Sequence, residues 1–165
     1  MGRLQTIYAH PIAGPVAAGI PMGYVDLAYA SRPIEAIRAD LDEWGLQAVG
    51  GIFFDQAPTS PFSIGPVAMA VRAARRLGFD TILLNPGRDT DSLYRGLGAT
   101  VCTYEGDWTA YQNGTTDGVR PGDGHVVLGV PTDLLERCLD VMRARGAAWG
   151  VATPAESLVP SLVTA

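Results

Sequence analysis

The chain has 165 residues, 47% of them hydrophobic, and a formal net charge of −5. That is enough for one domain with a sizeable core, and the lack of any basic run argues against nucleic acid and against an anionic membrane surface. All 12 basic residues are arginine, which excludes lysine Schiff-base chemistry, covalently held pyridoxal phosphate and a P-loop lysine.

In chain order, LQTIYAH (4–10) reads as a short strand and GYVDLAYA (23–30) as the next. SRPIEAIRADLDEWG (31–45) is a helix, with Ile34, Ile37, Leu41 and Trp44 at helical spacing and Gly45 as its stop. VGGIFFDQ (49–56) is a strand, GPVAMAVRAARRLG (65–78) a helix, DTILLNPG (80–87) a strand and DTDSLYRGLG (89–98) a short helix. TVCTYEGD (100–107) is a strand and WTAYQNG (108–114) a brief helical turn, followed by a polar, glycine-rich loop to Gly124. HVVLGVP (125–131) is a strand, TDLLERCLDVMRARG (132–146) a helix and AAWGVATP (147–154) the last strand. No apolar stretch approaches a membrane span. The opening MGRLQTIYAHP lacks the features of a signal peptide, so a cytoplasmic protein is expected.

About seven apolar strands separated by helices predict a parallel sheet with helical crossovers. No G-x-G-x-x-G follows the first strand, which leaves a dinucleotide fold without its main support. Five strands finish in polar residues: His10, Asp26, Asp55 with Gln56, Asn85, and Glu105. In α/β folds functional groups gather at the carboxyl ends of strands, and this spread over five strands fits a ring of loops above a barrel better than one switch point. The expectation is a single barrel-like domain over 1–165, TIM-barrel-like, with these polar ends on one rim.

Asp89, Asp91 and Asp133 fall in turn clusters and read as caps. Asp26, Asp55 and Glu105 sit inside or directly against apolar strands, and are the candidate catalytic residues. Tyr24, Tyr29 and Trp108 cluster near the same ends, where rings with polar tips suit a sugar or another small organic ligand. With Gln56, Asn85 and His10 they form the candidate substrate-binding set. Cys102 and Cys138 match no metal or redox spacing and read as core. His10 and His125 have no second ligand at a metal spacing, so neither a metal nor another cofactor is expected.

GYVDLAYASRPIEAIRADLDEW, VGGIFFDQAP, ILLNPG, VCTYEGDW and WGVATP resemble, in that order, the spherulation-specific family 4 (spherulin 4-like) proteins, relatives of glycoside hydrolases that cut galactosamine-containing polysaccharides. The resemblance implies a TIM-barrel-like fold and a site on the strand ends, with Asp55, Asn85 and Glu105 at the family's aspartate, asparagine and glutamate and Asp26 at that of its GYVD segment. Three features depart from it: Asp55-Gln56 replaces Asp-Glu, no signal peptide is evident, and PIAGPVAAGIPM is too short for a crossover helix between the first two strands.

Two function classes follow. One is a glycoside-hydrolase-like enzyme using Asp55 and Glu105 for acid/base chemistry on a small sugar-like or polar substrate. The other is an intracellular barrel that has lost hydrolysis through Gln56. It would serve biosynthesis as an isomerase, cyclase or lyase, or bind a ligand without chemistry. A missing first crossover helix would uncover the outer face of the first two strands, which predicts a homodimer.

Overall fold

Gly51–Asp55 and Thr81–Asn85 are apolar on both faces, and every residue of the two is buried except Thr81, which is half-buried. Strands buried on both sides need a core within and a layer without, and the fold supplies both. The computed structural model describes residues 4–15 and 17–159. Of the single domain expected over 1–165, the remaining residues lie outside the described ones.

Seven strands close into a barrel in chain order: β1 (Thr6–Pro11), β2 (Ile20–Asp26), β3 (Gly51–Asp55), β4 (Thr81–Asn85), β5 (Thr100–Asp107), β6 (Gly124–Leu128) and β7 (Trp149–Ala152). The helices are α1 (Ile34–Trp44), α2 (Ile64–Arg76), α3 (Trp108–Asn113) and α4 (Leu135–Ala144). The predicted short helix at 89–98 is a 3-10 turn, Ser92–Leu97, capped by Asp91, whose carboxylate accepts from Leu93 N. Ile7, Met22, Phe53, Leu83, Val126 and Val151 fill the barrel. A second cluster packs β2–β4 against α1 and α2 through Leu41, Trp44, Phe54, Ala70 and Leu84. A third lies outside β6, around Val127, Cys138, Leu139 and Met142. Cys102 and Cys138 are both buried, in the first and third clusters.

The sheet is not all parallel. β2 through β7 run parallel, but β1 is antiparallel to β2, with Thr6 opposite Gly23, and to β7, with His10 opposite Gly150. The connection explains this. A parallel return needs a crossover of about a dozen residues or more, whereas an antiparallel strand needs only a loop. The described residues between β1 and β2 form no helix. The short segment is therefore sufficient for a reversed strand. His10, at the carboxyl end of β1, consequently lies on the rim opposite Asp26 and Asp55, where Nδ1 contacts Ala17 O at 3.4 Å. The expectation of strand ends one to five on a single rim holds for β2–β5 and fails for β1.

The outer face of β2 is covered by α1. Trp44 lies over Gly23 and donates from Nε1 to Tyr24 O at 3.0 Å. The outer side of β1 is open, and Tyr8 there is 61% exposed. Among the described residues, no helix is long and apolar enough to cross a membrane.

A Cβ at Gly23 would stand 2.5 Å from the Trp44 indole. Gly23→Ala is therefore expected to destabilise the barrel by about 1–3 kcal/mol, the usual cost of overpacking, read as a lower urea midpoint with an unchanged slope.

Candidate functional site

Side chains alternate across a strand, and register decides which of them meet. β2, β3 and β4 are aligned so that Asp26, Asp55 and Asn85 stand side by side at the carboxyl rim. Asp55 is 5% exposed and Asn85 is 1% exposed. A carboxylate so placed needs donors, and both flanking strands provide one. Tyr24 Oη donates to Asp55 Oδ2 at 2.8 Å, and Asn85 Nδ2 donates to Asp55 Oδ1 at 2.9 Å. Burial, and then the charge of Asp55, raise the Tyr24 pKa far above its ordinary value. Tyr24 is thus a permanent donor.

Glu105 completes the group. Asn85 Nδ2 also lies 3.5 Å from Glu105 Oε1, so one amide nitrogen bridges the two carboxylates. Simple alternation from Cys102, which faces the barrel interior, would turn Glu105 outward. A register shift between Cys102 and Tyr104 moves Tyr104 to the outer cluster and Glu105 to the mouth. Partial desolvation, and then the charge of Asp55, raise the Glu105 pKa above its ordinary 4.5, while the hydrogen bond from Asn85 opposes this. Its carboxylate keeps one side open to solvent. Gly87 lies against it: a Cβ there would come within 3.2 Å of Glu105 Oε2, and φ is +71°. Both facts account for the glycine of LNPG.

Asp55, Asn85 and Glu105 line a cleft of about 200 Å³ with Tyr29, Gln56, Pro86, Leu128 and the segment Ser157–Val159; Tyr24, expected to bind substrate, is instead buried against Asp55 and is not in its wall. Gln56 reaches it because β3 ends at Asp55 and the backbone turns left-handed at Gln56, φ +51°. The predicted strand 23–30 likewise stops at Asp26. Ala28, Tyr29 and Ala30 have φ of +45°, +54° and +69°, and the bend holds Tyr29 at the rim, 64% exposed. The two bends are tied by Tyr29 N donating to Gln56 O at 2.8 Å.

Three more sequence-predicted residues are placed otherwise. Asp26 stands beside Asp55, but its Oδ1 accepts from Ala28 N at 2.7 Å, capping the left-handed turn behind the cleft wall. His10 is on the far rim, because β1 is reversed. Trp108 is 5% exposed and packs with Tyr111 and Val127 outside β6. Sequence reasoning missed the roles of Leu128, Pro86 and Ser157–Val159 as walls. The last three follow β7, and nothing in their pattern places them across the mouth. Only the structure shows Leu158 entering the barrel core, with its carbonyl accepting from Gln5 Nε2 at 2.8 Å. His125 is fully buried at the start of β6, its Nδ1 2.7 Å from the Tyr111 hydroxyl. Burial lowers its pKa to about 4 and keeps it neutral. Among the described residues, no three His, Cys, Asp or Glu side chains are grouped to hold a metal ion.

Residues 19–156 match the profile of spherulation-specific family 4. A crystal structure of Sph3 from Aspergillus clavatus in complex with GalNAc superposes with a TM-score of 0.61 at 24% identity, over 80% of this chain and 62% of that one. At that identity the likeness is one of fold, and the chain spans less than two thirds of that protein. No curated protein sequence matches this chain.

Left-handed geometry penalises any side chain but costs glycine little. Gln56→Gly is expected to be more stable than Gln56→Ala by about 1 kcal/mol, measured as the difference in urea-unfolding free energy. Equal stabilities would mean that the bend at Gln56 carries no strain.

Proposed function

We propose that this chain, which belongs to spherulation-specific family 4 over residues 19–156, is a glycoside-hydrolase-like enzyme acting on a galactosamine-type sugar, with Asp55 as the ionised carboxylate and Glu105 as the proton donor. The observation that carries this is the shared donor. Asn85 Nδ2 lies 2.9 Å from Asp55 Oδ1 and 3.5 Å from Glu105 Oε1. The two oxygens are no further apart than the sum of those distances. That sum exceeds the ~5–5.5 Å of retaining enzymes and falls just short of the ~6.5–9.5 Å of inverting ones, so the pair stands within the span over which two carboxyls act on one glycosidic bond.

The environments of the two carboxyls differ in the sense the chemistry needs. Asp55 accepts a hydrogen bond at each of its oxygens, from Tyr24 and from Asn85. Glu105 is partly desolvated and faces that anion, which favours its protonated form. In the retaining course Glu105 gives its proton to the departing oxygen while Asp55 attacks the anomeric carbon. Glu105 then takes a proton from the water that releases the sugar. Tyr29 at the rim offers an aromatic face to the ring, and Gln56 offers an amide to its hydroxyl or acetamido groups. The GalNAc held by Sph3 supports this class of ligand.

Gln56 in place of the family's glutamate favours the alternative of a non-hydrolytic biosynthetic enzyme or a binding barrel. Against that reading, the Asp55–Glu105 pair does not require a carboxylate at position 56. The cytoplasmic setting and the homodimer belong to the same proposal. The second rests on the open side of β1 around Tyr8, and sedimentation as a monomer at micromolar concentration would remove it.

The test is cleavage of N-acetylgalactosamine oligosaccharides. Asp55→Asn and Glu105→Gln should each lose about 10²-fold or more. Gln56→Ala should lose only what a neutral hydrogen bond contributes, about 0.5–1.5 kcal/mol. A proton donor works only while protonated, so activity should fall as pH rises through the elevated Glu105 pKa, above its ordinary 4.5, and Glu105→Gln should lack that limb. A wild type that cleaves none of these substrates returns the choice to the non-hydrolytic reading.

A further inference from the structure

Glu105 faces the cleft only because β5 breaks step beside it. Cys102 pairs with Gly124 and Tyr104 with His125, so two residues of β5 oppose one of β6 and Thr103 is the extra one. Cys102 faces the barrel interior, and Thr103 therefore faces outward. Tyr104, due to return inward, stays outside in the cluster beyond β6. Glu105 is the next residue to point in. We propose that Thr103 and Tyr104, each held from the outer side of the barrel, are the positioning residues of the proton donor Glu105, with Asp123 as the anchor of the first. The proposal rests on the glycosidase reading in calling Glu105 the proton donor.

The two holds act at successive residues. Asp123 stands one residue before β6, beside the break, and is 4% exposed. Its carboxylate accepts from Thr103 Oγ1 at 2.8 Å, from Arg95 Nε at 3.1 Å and Nη2 at 2.8 Å, and from Arg120 N at 3.0 Å. A buried ion pair adds little net stability, and its best-attested use is to fix a register. Here it presents a fixed acceptor to the extra residue of β5. A Thr103 turned inward would leave that acceptor short of a donor and bury its own hydroxyl among apolar side chains. Tyr104 is held by packing. Its ring centroid is 4.9 Å from that of Tyr111 and 6.1 Å from that of His125. Tyr111 is itself fixed, with its hydroxyl 2.7 Å from His125 Nδ1, its carbonyl accepting from Arg145 Nη1 at 2.6 Å, and the Arg145 guanidinium 4.2 Å over its ring. Gly106 leaves room for the outward ring, since a Cβ there would meet the Tyr104 hydroxyl at 2.6 Å. Without these holds, regular alternation would put Tyr104 in the interior and turn Glu105 outward, away from Asp55.

The test is an NMR titration of the Glu105 side-chain carboxyl, assigned with Glu105→Gln, in the wild type and in Thr103→Val, each with and without Asp55→Asn. Among the described residues, the charged group facing Glu105 is Asp55 from β3, while Asn85 from β4 and Val126, its partner on β6, are neutral. Partial desolvation, and then the charge of Asp55, raise the Glu105 pKa, so Asp55→Asn should lower it in the wild type. In Thr103→Val, which keeps the shape and lacks the hydroxyl, that lowering should disappear. In Thr103→Ser, which restores the hydroxyl, it should return. On N-acetylgalactosamine oligosaccharides, Thr103→Val should lose about 10²-fold in kcat with KM within about twofold, and Thr103→Ser should keep most of the activity. Should Thr103→Val fail to fold, Tyr104→Val, which releases the other hold, is read in the same way. An Asp55→Asn shift as large in these variants as in the wild type overturns this inference alone. No shift in the wild type removes the Asp55–Glu105 pairing on which the proposed function stands, and this inference with it.

Discussion

The structure around the site is arranged about one buried charge, the carboxylate of Asp55. An unpaired carboxylate removed from water is costly enough to change protonation or unfold its surroundings. Asp55 avoids this by accepting from Tyr24 on one neighbouring strand and Asn85 on the other. That requires β2, β3 and β4 to be parallel and in one register, since a slip of one residue would send each of these side chains to the helical side. The backbone repeats the constraint: Leu27 N donates to Asp55 O and Ala57 N to Asn85 O, which carries the alignment past the strand ends into the loops.

Strain collects at the same rim. Among the described residues, the four with positive φ other than glycine are Ala28, Tyr29, Ala30 and Gln56, all in the two loops that flank Asp55. Left-handed geometry costs about 1–2 kcal/mol per residue. It persists because the chain on either side is held, by Leu27 and Ala57 in the packed layer between β2–β4 and the helices, and by the Tyr29–Gln56 hydrogen bond. Backbone strain of this kind concentrates at functional sites because it aims side chains that relaxed geometry would turn away. Here it presents Tyr29 and Gln56 to the cleft. The register shift in β5 has the same effect on Glu105.

The closure of the barrel explains why seven strands suffice. β1 runs against its neighbours and pairs with β2 and β7 at once, leaving no free edge. Its amino-terminal end therefore lies on the rim that bears the carboxylates, and Gln5 there anchors Leu158 of the carboxyl-terminal segment. That segment crosses the mouth. The reversal of one strand thus bears on what lines the mouth.

The order of strands and helices was legible in the sequence because apolar periodicity is a local property, set by which faces each segment must bury. So was the Asp55–Asn85–Glu105 set, since polar residues that end apolar runs stand out against them. Asp26 satisfied the same pattern and proved to be a cap, because its Ala28 N–H partner exists only once the left-handed turn has formed. The direction of β1 was implicit in the shortness of PIAGPVAAGIPM, which is too short for a crossover and ample for a reversal. Reading that shortness as a lost helix placed His10 on the wrong rim. The phase of Glu105, the aim of Gln56 and the crossing of the mouth by Ser157–Val159 belong to the tertiary structure alone. A bulge, a left-handed residue and a long-range docking contact each depend on neighbours far away in the chain, and leave no periodic trace in their own segment.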